Sequence, residues 1–441
     1  MRFRASDVAR DIGGRLVGPD VDIDGVSFDS RTIRPGQLFV PIIDQRDGHD
    51  FIDAAMAAGA VAFITARPSI GGAANAGGRS AIEVPDTLDA LMRLAAARRG
   101  RSAARVIGIT GSVGKTSTKD LAWAALGAST RTWANERSFN NDQGLPTTIL
   151  NAPDDTEVMV LEMGMRGHGE ITRLCEVARP SIGVLTRVAE AHSDRVGGIE
   201  GVAKAKSELV QALPMDGVAI LNADDPRVAA MARLTDAQPL LFGETPGAHV
   251  HVTSVVLDHL ARATFAATTP WGSVLVRLGI SGRHMVSNAA AALACVGAVG
   301  ADLDTAVEAL ADVRLTAMRM DVVRLRSGAV VIDDSYNANP TSMRSAIDAL
   351  CDLPATRRIA VVGVMAEISE PEREHRSIHA YAAHRGVELL AVGTDWYGVA
   401  PLPDAAAALQ ALGELGEGDA VLVKGSRVAG LESVAASLVD G

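Results

Sequence analysis

Thr110-Gly-Ser-Val-Gly-Lys-Thr116 lies directly after the apolar run Arg105–Ile109 and ahead of a helical segment. That order suits phosphate. Glycines let the backbone wrap an anion, a helix N-terminus favours its charge, and Lys115 reaches the outer phosphates. Thr110, Gly111, Ser112, Gly114, Lys115, Thr116 and Ser117 are the residues expected around a nucleoside triphosphate, with the Thr116 hydroxyl offered to Mg²⁺. The longer form of this pattern has a glycine five residues before Gly114, where Ile109 stands. A short match also arises as a chance glycine-rich turn, so the strand before it and the helix after it carry the phosphate reading.

Other residues could act beside that loop. Glu162 closes the apolar run Val158–Glu162, and parallel sheets present ligands at their carboxyl edges. His192 follows the next run, Ile182–Leu185, and is expected at the same edge. Both could serve Mg²⁺; both are also residue types found at strand ends and surfaces with no ligand. Asp333 and Asp334 close another run, and Met343, Ala346, Ile347 and Leu350 then follow helical spacing. The loop between them, with Tyr336, Asn337 and Asn339, therefore lies at a strand's carboxyl end, although Asn before a proline turn needs no ligand to explain it. Lys424 ends a strand before Gly425, and Ser30 and Arg31 follow a short one. Such lysines and arginines are commonly just solvated. His49 and Asp50 read as surface residues. In the segment 202–213, Val202, Leu209, Val210 and Leu213 form one apolar helical face. Lys206 falls on that face and Lys204 on the polar one. Burial favours a neutral Lys206 amine, able to take up carbon dioxide as a carbamate; the alternative is a lysine that snorkels to water.

The elements that would position these residues form a consistent rhythm. From Ala104, the runs Arg105–Ile109, Val158–Glu162, Ile182–Leu185 and Val218–Leu221 read as buried parallel strands separated by helices. A second series follows: Val330–Asp333, Ile359–Val362, Glu388–Val392 and Ala420–Val423. The first hundred residues carry only short runs, Gly25–Phe28 and Gln37–Val40, a glycine-rich surface excursion at 70–80, and a helical stretch Leu91–Arg101. The expected fold is α/β in three domains: a small mixed α/β domain at 1–103, a central P-loop domain at 104–314 and a second α/β domain at 315–441. Two α/β domains sharing one nucleotide imply a hinge near 313–318.

Composition narrows the function classes. The chain has 441 residues, 48% hydrophobic and 22% charged, a globular balance large enough for several cores. Its formal net charge of −11 speaks against nucleic acid or an anionic membrane as partner. The start lacks the apolar run of a signal peptide, and the alanine-rich run Ala289–Ala301 is too short to span a bilayer. Cys175, Cys295 and Cys351 have no metal-like spacing and read as thiols of a cytoplasmic protein.

The motifs together resemble the Mur ligases along essentially the whole chain. The phosphate loop, Asn140-Asn-Asp-Gln-Gly-Leu-Pro146, Leu161-Glu-Met-Gly164, Glu190-Ala-His192, Gly201-Val-Ala-Lys-Ala-Lys206, Leu221-Asn-Ala-Asp224 and Gly282-Arg-His-Met-Val-Ser-Asn288 are similar to the family's central domain. Asp333-Asp-Ser-Tyr-Asn-Ala-Asn-Pro340 and Val423-Lys-Gly-Ser-Arg427 resemble its Rossmann-like carboxy-terminal domain. Phe28-Asp-Ser-Arg31 and Leu38-Phe-Val40 resemble its uridine-nucleotide-binding amino-terminal domain.

Within the family, the Tyr336 and Lys424 segments look like the members that add D-alanyl-D-alanine to a UDP-N-acetylmuramoyl-tripeptide. The resemblance implies ATP and Mg²⁺, an acyl-phosphate route to an amide, and a cytoplasmic monomer. It gives Lys115 and Arg319 the developing phosphate charge, and Thr116, Glu162, His192 and a carbamylated Lys206 the Mg²⁺ neighbourhood. Asn288, Arg319, Asp334 and Tyr336 fall to the adenosine nucleotide. Ser30, Arg31, Asn140, Asn141, Asn337, Asn339 and Lys424 fall to the substrates, the dipeptide on the carboxy-terminal domain. Departures are Met285 and Arg187 where asparagine is usual, Ala317-Met318 where Pro-Gly is common, and Val364 where aspartate is common. Another Mur ligase, a folylpolyglutamate-synthetase-like ligase, a P-loop ATPase driving motion and a non-catalytic scaffold stay open as alternatives.

Overall fold

The computed structural model of the chain describes residues 2–67, 78–136, 139–189, 196–366 and 368–440. It divides into two compact units: 1–108, 131–165 and 169–181 form one, and 109–130, 166–168 and 182–441 the other. The expected α/β character holds throughout both.

The first unit opens with β1 (Arg2–Arg4), β2 (Arg15–Val17), β3 (Asp22–Asp24), β4 (Val26–Ser27), β5 (Leu38–Phe39), β6 (Ala62–Thr65) and β7 (Ser80–Glu83). β1 and β3 pair antiparallel, and the other five form a sheet of order β2-β7-β6-β5-β4. Phe39, Ala55 and Ala60 nucleate its small core with Ile33, Phe51 and Phe63 packed round them. His49 is not a surface residue as its polar setting suggested. It is buried, with Nδ1–H donating to Asp47 Oδ1 at 2.6 Å and Nε2 accepting from the Ala66 N–H at 2.9 Å. The expected excursion at 70–80 lies largely outside the described residues. β8 (Arg105–Thr110), whose last two residues belong to the other unit, β9 (Thr132–Ala134) and β10 (Val158–Glu162) follow, β9 and β10 being parallel. Every residue of β10 is buried, which is why it reads as an unbroken apolar run. The free edge of β4 is closed by a side chain: Asn151 Oδ1 accepts from the Val26 N–H and Asn151 Nδ2 donates to the Val26 carbonyl, each at 2.8 Å.

The second unit contains β11 (Ile182–Leu185), β12 (Val218–Asn222) and β13 (Gln238–Gly243), all parallel, then β14 (Val250–Leu257), β15 (Arg262–Thr269) and β16 (Gly272–Ser281). β14 runs parallel to β13, whereas β14–β15 and β15–β16 are antiparallel. This meander is absent from the sequence reading because its strands alternate buried and exposed residues rather than forming apolar runs. The carboxy-terminal sheet comprises β17 (Asp321–Arg324), β18 (Val330–Asp333), β19 (Arg357–Val362), β20 (Glu388–Ala391) and β21 (Asp419–Lys424), in the order β17-β18-β21-β19-β20. Only β17 is antiparallel, so the carboxyl ends of β18, β21 and β19 are adjacent on one edge. That adjacency brings Asp334, Lys424 and Gly363 together. All three cysteines are free thiols, and burial pushes the Cys295 thiol up to about 12. Among the described residues no helix is long and apolar enough to cross a membrane.

Candidate active site

The phosphate loop is built where the sequence placed it, between β8 and the helix Lys115–Gly127. Two of its glycines are obligatory. A Cβ on Gly111 would come within 1.9 Å of Thr186 Oγ1, and one on Gly114, at φ +84°, within 2.6 Å of Asn288 Oδ1. The end of β11 braces the loop. Thr186 N–H donates to the Thr110 carbonyl at 3.1 Å and its hydroxyl to Val113 O at 2.6 Å. Ser112 N–H donates to Arg187 O at 2.7 Å, and Ser112 Oγ both donates to Ala189 O and accepts from Ala189 N–H. Asn222, which ends β12, and Asp225 just beyond it in turn hold Thr186 and Val188 at 2.7 and 2.8 Å. Lys115 Nζ reaches Gly111 O at 2.8 Å, over the mouth of the loop. Thr116 and Ser117 are buried in the first helical turn. The cradle, the helix N-terminus and the lysine fit a nucleoside triphosphate.

The same helix is tied to the linker that leads into the carboxy-terminal sheet. Lys119 and Asp120 form a buried ion pair at 2.9 Å, and Asp120 Oδ2 accepts from the Thr316 N–H at 2.8 Å. Met318 and Met320 adopt φ of +64° and +52°, a conformation that costs side chains other than glycine roughly 1 kcal/mol or more each. Arg319, between them, stacks its guanidinium 4.2 Å from the Tyr336 ring, and its Nε is buried without a hydrogen-bond partner. An anion there would satisfy it.

At the carboxyl edge of β18 and β21, Lys424 is no solvated strand-end lysine. It is 1% exposed, with Nζ donating to Asp334 Oδ2 at 2.5 Å and to Asn337 O at 2.8 Å. Asp334 Oδ1 accepts from the Met320 N–H at 3.2 Å. Asp333, half-buried, is raised above the usual carboxylate range by that burial. Asn337 is exposed, and its Oδ1 accepts from Ala338 N–H. Asn339 caps the helix Pro340–Asp352 in a reciprocal box with Ser342, the turn role open to it from sequence. His284, largely buried at the N-terminus of the helix Met285–Val299, feels Asp334, Lys424, Asp348 and Arg187. Burial is the largest influence on it and lowers its pKa.

Beside this corner, His375 fixes the loop after β19. Its Nε2 accepts from the Met365 N–H at 2.8 Å, its Nδ1–H donates to Pro371 O at 2.5 Å, and the ring packs edge-on to Trp396 and Tyr397. Burial holds its pKa below the ordinary 6.5, the Pro371 bond opposing weakly. A lowered folded pKa means that its stabilisation is complete above about 6.5 and is lost as pH falls through the folded value. Acid titration monitored by near-ultraviolet circular dichroism should therefore show a loss of stability below about pH 6.5 that is shallower in His375→Gln. Identical profiles for the two proteins would contradict this.

In the first unit, Glu162 is 1% exposed at the end of β10. Its N–H donates to Asn135 Oδ1 and its Oε1 accepts from Asn140 Nδ2, each at 2.6 Å. Asn141 Oδ1 accepts from Gln143 and Gly144 N–H groups, starting the helix Gly144–Asn151. Phe139 meets Phe28 edge-on, with centroids 5.7 Å apart. Ser30 is half-buried, whereas Arg31 is 86% exposed and clasped by Asp29. That guanidinium holds the Asp29 carboxyl below its usual range.

Lys206 is 3% exposed on the helix Gly198–Gln211, beside buried Val202, Leu209 and Val210, while Lys204 is exposed. His192 lies outside the described residues. Among those described, no group of three His, Cys, Asp or Glu residues could hold a metal. That is compatible with Mg²⁺, which takes one or two carboxylates plus waters and substrate phosphates rather than a protein cage. The Glu162 carboxylate and Thr116 hydroxyl are hard oxygen donors of that kind.

Comparison with known proteins agrees with this geometry. Residues 22–99 match the catalytic domain of the Mur ligase family, 109–296 the Mur ligase middle domain and 318–427 the Mur ligase glutamate ligase domain. The chain belongs to the Mur ligase family. Similar relatives of this Mur ligase include the UDP-N-acetylmuramoyl-tripeptide–D-alanyl-D-alanine ligases of Mycobacterium tuberculosis, 40% identical over 94% of this chain and 92% of that protein, and Escherichia coli, 34% identical over 97% and 96%. Among solved structures, MurF from Acinetobacter baumannii superposes with a TM-score of 0.90 at 29% identity, covering 100% of this chain and 99% of that one. MurF ligase from Thermotoga maritima in complex with ADP gives 0.83 at 27% identity, covering 94% and 97%. Thr186, Asp225, Asp120 and Asn151 are the ligase's positioning residues that motif reading passed over. Each of them fixes at least one backbone group, a contact that leaves no mark in sequence.

Proposed function

We propose that this ligase joins D-alanyl-D-alanine to the terminal carboxylate of a UDP-N-acetylmuramoyl-tripeptide, driven by ATP, in the building of peptidoglycan precursors. Similarity over nearly the full length to ligases of that name carries the reading, together with a phosphate loop in which neither Gly111 nor Gly114 has room for a side chain. ATP supplies the phosphoryl group that turns the poor leaving oxygen of the carboxylate into a good one, and Mg²⁺ supplies countercharge. The chain's own residues position and neutralise. Lys115 and the loop N–H groups hold the outer phosphates, and Arg319 offers its unsatisfied Nε–H to the charge that develops. Glu162, fixed by Asn135 and Asn140, sets an oxygen ligand for the cation, with Thr116, His192 and a carbamylated Lys206. Asn288, Asp334 and Tyr336 serve the adenosine nucleotide. Ser30, Arg31, Asn140 and Asn141 serve the uridine precursor, and Asn337, Asn339 and Lys424 the dipeptide. We read domains at 1–103, 104–314 and 315–441 in a cytoplasmic monomer.

Phosphate release tests this directly. It should require both the nucleotide tripeptide and D-alanyl-D-alanine. Turnover with L-alanine or D-glutamate in place of the dipeptide would reassign the ligase within its family, and ATP hydrolysis without either substrate would favour a motion-driving ATPase.

A further inference from the structure

A cavity of about 460 Å³ opens beside the phosphate loop, lined by Arg187, Val188 and Ala189 after β11, by Asp224 to Arg227 after β12, and by Pro340, Thr341, Arg344 and Glu374 of the carboxy-terminal domain. Its arginines are unequal. Arg227 is engaged by Glu200 at 2.8 Å. Arg344 donates one bond, Nη2 to Ser377 Oγ at 2.6 Å, with its guanidinium 6.0 Å from the Tyr381 ring. Arg187 is exposed and its guanidinium makes no hydrogen bond or ion pair among the described residues, yet its backbone carbonyl is fixed by Ser112 of the phosphate loop. The base of this side chain is therefore held beside the phosphate loop while its charge is left without a partner among the described residues.

We propose that this cavity binds a carboxylate at the end of a small amino acid or peptide, through Arg187 and Arg344. Two planar forks from different elements suit a carboxylate, which accepts paired N–H bonds. A phosphate group suits the cavity less, because Asp224, Asp225 and Glu374 line it too. The carboxylates of Asp225 and Asp224 are already occupied by backbone N–H groups, those of Val188 and Arg227 for the first and of Glu244 and Thr245 for the second. They remain negative, however, and repel a multiply charged anion while tolerating a carboxylate that carries an ammonium near by. Resting on the functional reading above, two substrates could supply this group: the free terminus of D-alanyl-D-alanine, or a side-chain carboxylate on the third residue of the tripeptide, which diaminopimelate has and lysine lacks.

Steady-state phosphate release, comparing wild type with Arg187→Asn and Arg344→Met, separates the two sources. One pair of substrates is D-alanyl-D-alanine and its carboxamide; the other is tripeptide ending in diaminopimelate and in lysine. Arg187→Asn should raise KM roughly tenfold to a hundredfold, the size of one charge-assisted bond, for the carboxylate-bearing member of one pair. It should leave its neutral or lysine counterpart, the KM for ATP and kcat near wild type. Arg344→Met should act in the same direction on the same pair. Isothermal titration of the same substrates reads the loss without turnover, and matching thermal melts exclude misfolding. Unchanged KM for both carboxylate substrates, or equal shifts for both members of each pair, overturns the site. Failure of the wild-type enzyme to release phosphate with tripeptide and dipeptide together overturns the functional reading instead, and the proposal falls with it.

Discussion

Lys115→Ala should abolish phosphate release, by roughly a thousandfold or more, while the uridine nucleotide still binds. The magnitude follows from the loss of a preorganised cation in a site whose work is charge stabilisation, where removing even one neutral donor costs about a hundredfold to a thousandfold. Lys115 Nζ already lies 2.8 Å from Gly111 O, so the charge sits at the mouth of the loop before any ligand reorganises it. Retention of the uridine nucleotide follows from the division of the molecule. Ser30 and Arg31 belong to one compact unit and the phosphate loop to the other. Calorimetry on the variant with each nucleotide in turn gives the answer, and loss of both binding events together would refute independent sites.

Lys206→Arg should reduce turnover by roughly a hundredfold or more, on the scale of losing an electrostatic contributor to catalysis, with partial recovery on adding small carboxylates. Lys206 is 3% exposed on an apolar helical face, and burial by itself disfavours a charged amine. A neutral amine adds to carbon dioxide, forming an N–C bond and releasing a proton. The resulting carbamate is an anion with two oxygens for Mg²⁺. Arginine preserves the stem and a positive charge but does not form this adduct. Near-normal turnover in the variant, with an unchanged melt, would sink the carbamate and leave Lys206 as a packed stem.

Much of the architecture was legible because burial on both faces makes parallel strands continuous apolar runs. β10, β11 and β18 have the limits read from sequence, and β8, β12, β19, β20 and β21 differ by one or two residues at an end. The antiparallel meander β14–β16 was not legible, since its half-exposed strands dilute that signal. The phosphate loop was legible in sequence for a related reason. Its glycines, lysine and hydroxyl must be contiguous to wrap one phosphate group, so the chemistry is written at short range.

The carboxy-terminal corner and the segment 313–318 were different. Lys424 and Asp334 are separated by 90 positions and meet because β21 lies between β18 and β19, a sheet order that no local pattern encodes. The linker illustrates the same division. Sequence placed an expected hinge near 313–318, and no pattern in it revealed the attachment to Asp120 of the phosphate-loop helix, nor the left-handed backbone at Met318 and Met320. Sequence by itself determined the strands, the phosphate loop and the inward face of Lys206, because each depends on residues within one or two turns of chain. Tertiary structure alone decided which charges are spent and which stay open. Lys424 is paired with Asp334 and the Asn339 side chain caps its own helix, whereas the Arg187 guanidinium has no partner among the described residues, because pairing depends on what the fold brings within about 3 Å.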